Sequence, residues 1–375
     1  MPRVRSLALL LALALTVSGC AAAGASAEPG AASGAGSAAG SSVDPSCPAS
    51  EIALADLAPE SDPRAATGPS TACLPSRGVE PVDGGDPVLP VTVTDAEDRR
   101  VTVTDVDRIL AVDISGTIAA TVFGLGLGDR VVGRDASTEF PGTEKLPVVT
   151  DSGHTLNAEA ILELAPTVLL TDTSIGPKEV RQQLRDAGIA VVVISGEHRL
   201  DTADDLVHEI AAALGVPDRG DALAARVLAD LAAAVAEISA VAPDAASDRP
   251  RMLFLYVRGN ANIYYIFGRD SGADSLIEAV GGIDVAGEIG WEGMKPMNAE
   301  ALVAAQPDVL VMMTDGLASV GGVDGLLERI PALLQTPAGE QRRVIDMADA
   351  DILSFGPRSA EIVRALARAL YAPAA

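Results

Sequence analysis

Beyond residue 88 the chain alternates between short runs that are apolar at almost every place and longer segments in which apolar residues recur every third or fourth place. Runs of the first kind predict strands buried on both faces; segments of the second kind predict helices with one buried stripe. "RILAVD", "RVVGRD", "LPVVTD", "TVLLTD" and "AVVVIS" read as strands, while "GTIAATVFGLGLG", "NAEAILELAP" and "GPKEVRQQLRDAG" read as helices. Ahead of them "VTVTDAEDRRVTVTD" changes polarity residue by residue around a charged centre, which predicts an antiparallel hairpin. Apolar strands separated by helices predict an α/β fold with mostly parallel sheets, because each crossover lays its helix over a sheet face.

The cycle then repeats. Residues 156–172, "LNAEAILELAPTVLLTD", return as residues 297–315, "MNAEALVAAQPDVLVMMTD". Both stretches hold Asn-Ala-Glu-Ala, a proline nine residues after the asparagine, and a strand ending in Thr-Asp. "LAVDISG" (110–116) and "FLYVRG" (254–259) open the two halves in the same way. Two similar lobes are therefore expected, at 89–216 and 249–375. About 285 residues is also more than one core usually holds. Between the lobes, "DRGDALAARVLADLAAAVAEISAV" has no proline, and no glycine after Gly220, so a helix is expected over 217–242. About 24 residues at 1.5 Å each span roughly 36 Å, enough to bridge both lobes. A helix does not bend easily, so the lobes should open and close little. Their ligand cleft is expected between them, where open parallel sheets gather ligands at the carboxyl ends of strands.

The first 88 residues are of another kind. "MPRVRSLALLLALALTVSGC" has two arginines and then an apolar run too short to span a bilayer comfortably, which reads as an export signal over 1–19. Its ending, Val17-Ser18-Gly19-Cys20, resembles a bacterial lipobox, which implies acylation of Cys20 and a lipid-anchored mature protein. Residues 20–88 are rich in Ala, Gly, Ser and Pro and predict a flexible stalk, having little apolar surface to bury. Cys47 and Cys73 form either one disulfide, as export permits, or two free thiols. The formal charge of −25 becomes −27 once a leader carrying Arg3 and Arg5 and no acid is lost. Such a surface repels nucleic acid and anionic lipid.

Only three histidines occur, and His154 lies two residues before Leu156, where the repeated stretch begins, between strand and helix. Its counterpart in the second half is Lys295. Tyr256 ends the opening strand of that second half, with Arg258 two places on and therefore on the same side of an extended backbone. A histidine and a tyrosine opposed across a cleft suit the iron of a flat macrocycle, since imidazole and phenolate both serve as haem axial ligands. A phenol loses its proton only near pH 10 unless assisted, and Arg258 offers a nearby cation. On residue types alone, a loop histidine and a strand aromatic are the commoner explanation of this pair. No Ser-His-Asp pattern, phosphate loop or Cys-His zinc spacing appears, so no enzyme is read. His198 and His208 lack ligand spacing to His154 and are set aside.

"GHTLNAEAILELAPTVLLTDTSIGP", "LFLYVRGNANIYYIFGRDSGADSLIEAVGG", "GWEGMKPMNAEAL" and "ILSFGPR" resemble the haem-binding lipoproteins of actinobacterial haem ABC importers. These are a branch of the binding proteins that also serve siderophores and cobalamin, and the resemblance runs from about residue 91 to 371. It implies that His154 and Tyr256 hold the iron of haem b (iron protoporphyrin IX), with Arg258 bonded to the tyrosine. It further implies a monomer anchored at the outer leaflet of the cytoplasmic membrane, which hands haem to a permease and ATPase complex after receiving it, directly or through other surface haem proteins. Tyr264 is the second choice for the phenolate. Trp291 either covers a porphyrin face or packs in a loop, and Met294 and Met297 either touch the macrocycle or fill gaps. Arg134, Lys295 and Arg358 are candidate propionate partners by charge and rim position. Glu159 and Glu300, at equivalent helix starts, either favour the helix dipole or dock on permease arginines, as the resemblance implies. A ferric-siderophore or cobalamin carrier of the same fold is the alternative reading.

Overall fold

In the computed structural model, residues 52–57, 59, 62–151, 154–196 and 198–373 are described, and they fall within one compact unit. The leader, Cys20 and Cys47 lie outside the described residues. Four parallel strands form the sheet of the first lobe, in the order Val131–Gly133, Ile109–Val112, Val168–Thr171, Ala190–Val193. Every residue of the two central strands is buried. Ile109 and Ala111 face a cluster with Ile118, Leu206 and Val207, whereas Leu110 and Val112 face Ile161 and Leu184. Each strand is thus apolar throughout because helices cover both of its faces, as the runs predict. The hairpin also forms, Val91–Thr94 pairing antiparallel with Arg100–Val103.

The second lobe has a seven-stranded sheet. Its main path runs Ser70–Ala72, Val344–Met347, Val309–Met313, Arg251–Arg258, Ile263–Phe267, Met294–Pro296, and Ile283–Asp284 pairs with the start of Arg251–Arg258. The first four strands are parallel; Ile263–Phe267 and Met294–Pro296 run antiparallel to their neighbours. The repeated Asn-Ala-Glu-Ala stretches acquire a physical meaning here. Asn157 accepts the backbone N–H of Ala160 at 3.0 Å to cap Ala158–Glu163, and Asn298 accepts that of Ala301 at 2.7 Å to cap Ala299–Ala305.

Between the lobes runs the helix Pro217–Ser239, whose 23 residues span roughly 34 Å. Leu223, Ala224 and Val227 join the core of the first lobe, and Ile238 that of the second. Arg358, buried in the second lobe, holds Asp351 at 2.7 Å and lies 5.3 Å from the ring centre of Phe140 in the first. Arg199 of the first lobe reaches Asp274 of the second at 2.7 Å.

The expected stalk needs correcting over its described residues. Ser70–Ala72 adds a parallel edge strand to the second lobe, with Thr71 opposite Asp346, and Leu54 and Leu74 enter its core. The buried guanidinium of Arg343 donates to Gly68 O, Ser70 Oγ, Ala369 O and Leu370 O at 2.7–3.2 Å. Farther on, the Val82 and Val88 amides donate to Gly124 O and Gly215 O of the first lobe. Arg219 donates to Gly84 O and Gly85 O. This stretch is a strap across both lobes. Small residues bury little apolar area, but an edge strand needs only a backbone, and the backbone carries obligatory hydrogen-bonding groups whatever the side chains. Cys73, just after the edge strand, is disulfide-bonded.

At the carboxyl ends of the first lobe's strands stand Asp113, Asp135 and Asp172, all buried. Asp113 accepts the amides of Ser115, Thr117 and Ile118 and so starts the helix Thr117–Gly124. Asp135 accepts the amides of Asp113, Ser137 and Thr138. Burial, followed by the neighbouring Asp113 carboxylate, pushes the Asp135 carboxyl up to about 7. The native state therefore binds this proton more tightly than the unfolded chain does. The resulting stability is fully present below the ordinary value of 3.8 and is lost as pH rises through about 7.

Two outcomes are expected from urea unfolding. Asp135→Asn should flatten the fall of stability between pH 4 and pH 7 (roughly the window between the two values); an unchanged slope would assign it to other groups. Arg343→Met strands several buried carbonyls and should cost about 3 kcal/mol, with faster proteolysis of the strap. Wild-type stability and protection would show that the strap is held without it.

Candidate functional site

His154 stands where Thr150–Asp151 turns back to pair with Thr155–Leu156. Its carbonyl accepts the Gly176 amide at 3.2 Å, and the Leu156 amide donates to Gly176 O at 2.6 Å. The histidine is thus fixed to the loop that follows the strand Val168–Thr171, at the carboxyl edge of the first sheet. Solvent reaches the ring, yet the surrounding protein displaces enough water to lower its basicity, and the positive charge of Arg258 lowers it further. Both effects favour neutral imidazole, the form with a lone pair for a metal. Arg258 belongs to the second lobe.

Strand register decides what accompanies Tyr256. It pairs with Tyr265, Phe254 pairs with Phe267, and Phe267 and Tyr265 pair in turn with Met294 and Pro296. Cross-strand partners share a face, so these side chains form one surface. Phe267 stacks on Phe254 with ring centres 4.9 Å apart and on Tyr256 at 5.8 Å, which props the half-buried phenol at the sheet's rim. Arg258 emerges on the same side, its guanidinium 4.6 Å from the centre of the Tyr256 ring. Among the described residues Arg258 forms an ion pair with Asp349 and donates to Val257 O at 3.0 Å and Met313 Sδ at 3.4 Å. It meets the tyrosine through the ring face.

The remaining candidates divide. Tyr264 and Lys295 occupy the alternate positions of their strands, on the opposite face from Tyr256, and Tyr264 and Trp291 pack with Leu255 and Ile266 there. The structure does not bring these three together with Tyr256; for Tyr264 and Lys295, period-two alternation is the reason. Arg134 is spent on the carbonyls of Asp135 and Thr138, at 3.2 and 3.1 Å. Arg358 is spent on Asp351 and Ala350 O. Met294, 56% exposed on the Tyr256 face, and Ile114, 44% exposed just past the strand Ile109–Val112, offer apolar surface at the two rims.

Sequence reasoning passed over Asp349, Phe267 and His198. The phenylalanine was legible, since it follows Tyr265 by two places in one strand. Asp349 begins a short helix far along the chain, Asp349–Ile352, and carried no local signal. His198 lies at the inner edge of the first lobe, its Nδ1 3.3 Å from Ser115 Oγ and its Nε2 3.4 Å from Asp172 Oδ2. With Asp113 these side chains gather closely enough to invite a metal reading. Asp113, however, already accepts three backbone amides and the Ser115 hydroxyl, which makes it a helix cap rather than an open ligand. His208 lies 3.3 Å from Asp221 on the surface. A cavity of about 870 Å³ opens elsewhere, lined by Pro59, Asp62, Arg64, Asp308 and Gln341. Arg64 there already binds Asp308 at 2.8 Å, so the cavity is a polar seam under the strap.

Comparison with known proteins agrees with this architecture. The crystal structure of the haem-binding protein HmuT is 43% identical, with a TM-score of 0.78, covering 83% of this chain and 99% of that one. Structures of HmuT with one histidine, one arginine or one tyrosine replaced by alanine match similarly. YvrC of Bacillus subtilis (strain 168), an uncharacterised ABC transporter substrate-binding lipoprotein, is 27% identical over 76% of this chain and 86% of its own. A cobalamin-binding protein of Halobacterium salinarum is 29% identical over 65% of this chain and 64% of its own. Residues 112–350 match the profile described as periplasmic binding protein. Together with the two parallel-rich lobes, that match makes this chain a member of the periplasmic binding protein family, the substrate-binding components of ABC transporters.

Proposed function

We propose that the protein captures haem, iron protoporphyrin IX, between His154 and Tyr256 and hands it to the permease and ATPase of an ABC importer. One observation supports the reading: Arg258 lies 4.6 Å from the centre of the Tyr256 ring, and its charge also bears on His154 of the other lobe. Neutral imidazole and a phenol beside a guanidinium are the donor pair that ferric haem accepts. Ile114 and Met294 offer apolar contact for the macrocycle. HmuT, named for haem binding, supports this choice of cargo, and the histidine, arginine and tyrosine replaced in it are the residue types found here. With Arg134 and Arg358 engaged by protein groups, Lys295 is the one propionate candidate here without such a commitment, though from the far face of its strand.

The wider setting belongs to the same proposal. Acylation at Cys20 would tether a haem carrier outside the cytoplasmic membrane, in keeping with the lipoprotein name of YvrC. Among the described residues no helix is long and apolar enough to cross a membrane. Cys47 is the proposed partner of Cys73. Glu159 and Glu300 are exposed at the second position of equivalently capped helices, one per lobe, and are proposed to meet cationic groups of the permease.

An absorption titration with haemin tests the cargo. The mature protein should give a six-coordinate ferric spectrum, and Tyr256→Phe should lose its phenolate-to-iron band. No Soret change in the wild type removes the haem reading, and preferential quenching of Trp291 by cobalamin or a ferric siderophore would replace it. The double reversal Glu159→Lys, Glu300→Lys should leave the haemin spectrum intact and cut permease-dependent uptake by about tenfold or more. Full uptake would remove both carboxylates from the docking role.

A further inference from the structure

We propose that Ser174, seated on Asp172, is the positioning residue for His154: its hydroxyl ties the loop that carries the histidine to the end of the first lobe's opening strand. The inference rests on the haem reading above and adds to it two residues that had no place among the candidate ligands.

The loop begins where the strand Val168–Thr171 ends. Buried Asp172 turns its carboxylate onto it, and Oδ1 accepts the Ser174 amide at 2.8 Å and the Ser174 hydroxyl at 2.5 Å. A hydroxyl has one hydrogen to give and lone pairs left over. Ser174 gives its hydrogen to Asp172 and accepts the Ile114 amide at 3.0 Å, just past the strand Ile109–Val112. Ile175 follows and is buried in the core. Gly176 then exchanges backbone bonds with the histidine segment, donating to His154 O at 3.2 Å and accepting the Leu156 amide at 2.6 Å. The segment that carries the imidazole is therefore held between Thr150–Asp151 on one side and this loop on the other.

The second lobe shows what the arrangement is for. Its strand Val309–Met313 also runs into Thr-Asp, yet Asp315 is exposed and the chain passes straight into the helix Thr314–Ala318. Lys295, the counterpart of His154, stands instead on a strand paired with Ile263–Phe267. In the lobe without the imidazole, the equivalent carboxylate faces solvent. Ser174 is itself exposed, so water could satisfy its hydroxyl, but both of its bonds go to protein. An imidazole lone pair must point at a metal within narrow limits, which the groups behind the ligand have to enforce. The bond from Ile114 to Ser174 fixes the side of the loop, where Asp172 fixes its base.

The test compares wild type with Ser174→Ala and Ser174→Thr, each also combined with His154→Ala, with and without haemin. Position 174 is exposed, so these variants should keep the fold. In the unloaded protein, amide hydrogen exchange at Ile114 and Gly176 should accelerate about tenfold in Ser174→Ala and return towards wild type in Ser174→Thr. In the loaded protein, Ser174→Ala should release haemin about tenfold faster, and Ser174→Thr should restore retention. The Ser174→Ala spectrum should shift from six-coordinate towards five-coordinate while keeping the phenolate-to-iron band. With His154→Ala in place, Ser174→Ala should change the release rate no further. Unchanged exchange overturns the proposal. Faster exchange with wild-type coordination and release overturns it too, since the histidine would then be placed without the link. An equal loss in the His154→Ala background also overturns it, because the serine would then act on haem by another route. If wild type gives no haemin spectrum, the haem reading falls on its own, and the exchange rates at Ile114 and Gly176 still decide whether Ser174 holds the histidine loop.

Discussion

Parallel strands buried on both faces have only their ends to offer to solvent, and the rest of this protein is arranged around that restriction. Ile109–Val112 and Val168–Thr171 expose no side chain at all, so every polar group they carry forward appears just past their last residue. Asp113, Asp135 and Asp172 stand there in the first lobe, with His154 anchored one loop away. Tyr256 and Arg258 close the central strand of the second lobe, and Asp349 follows its neighbour but one. The chemistry collects along one edge because the faces are taken by helices.

A cleft made of two such edges works only if the edges keep their distance and orientation. The helix Pro217–Ser239 is sunk into both cores, and the strap supplies a second connection, with Ser70–Ala72 in one lobe and Val82 and Val88 bonded to the other. Arg358 with Asp351, lying against Phe140, pins the seam between the lobes. Rigid joints of this kind spare a ligand the cost of ordering the site, which suits a carrier whose task is to hold and release. The family binds cargo for transporters rather than transforming it, and nothing in the edge constellation asks for turnover.

Electrostatics at the rim run against the character of the whole. The chain is strongly acidic, at −25, yet a guanidinium, that of Arg258, lies 4.6 Å from the Tyr256 ring centre and bears on His154. Burial, and after it the charge of Arg258, disfavours the charged form of the imidazole. Arg258 is in turn ion-paired with Asp349.

Much of this was legible in the chain. Uninterrupted apolar runs required two-sided burial, the doubled Asn-Ala-Glu-Ala stretch required two lobes, and spacing by two required Tyr256 and Arg258 to share a face. These are local properties, set by backbone periodicity. Face assignments across strands were not local: Tyr264 and Lys295 fell away from Tyr256 because hairpin register, not composition, decides which neighbour turns inward. The strap was hidden because its stability comes from backbone bonds to distant partners such as Arg343, which small side chains do not advertise. Asp349 and His198 were hidden for the same reason. The sequence by itself determined the elements and the edge at which chemistry must appear; which side chains meet across that edge was decided only by tertiary packing, because an ion pair between residues 91 positions apart leaves no periodicity to read.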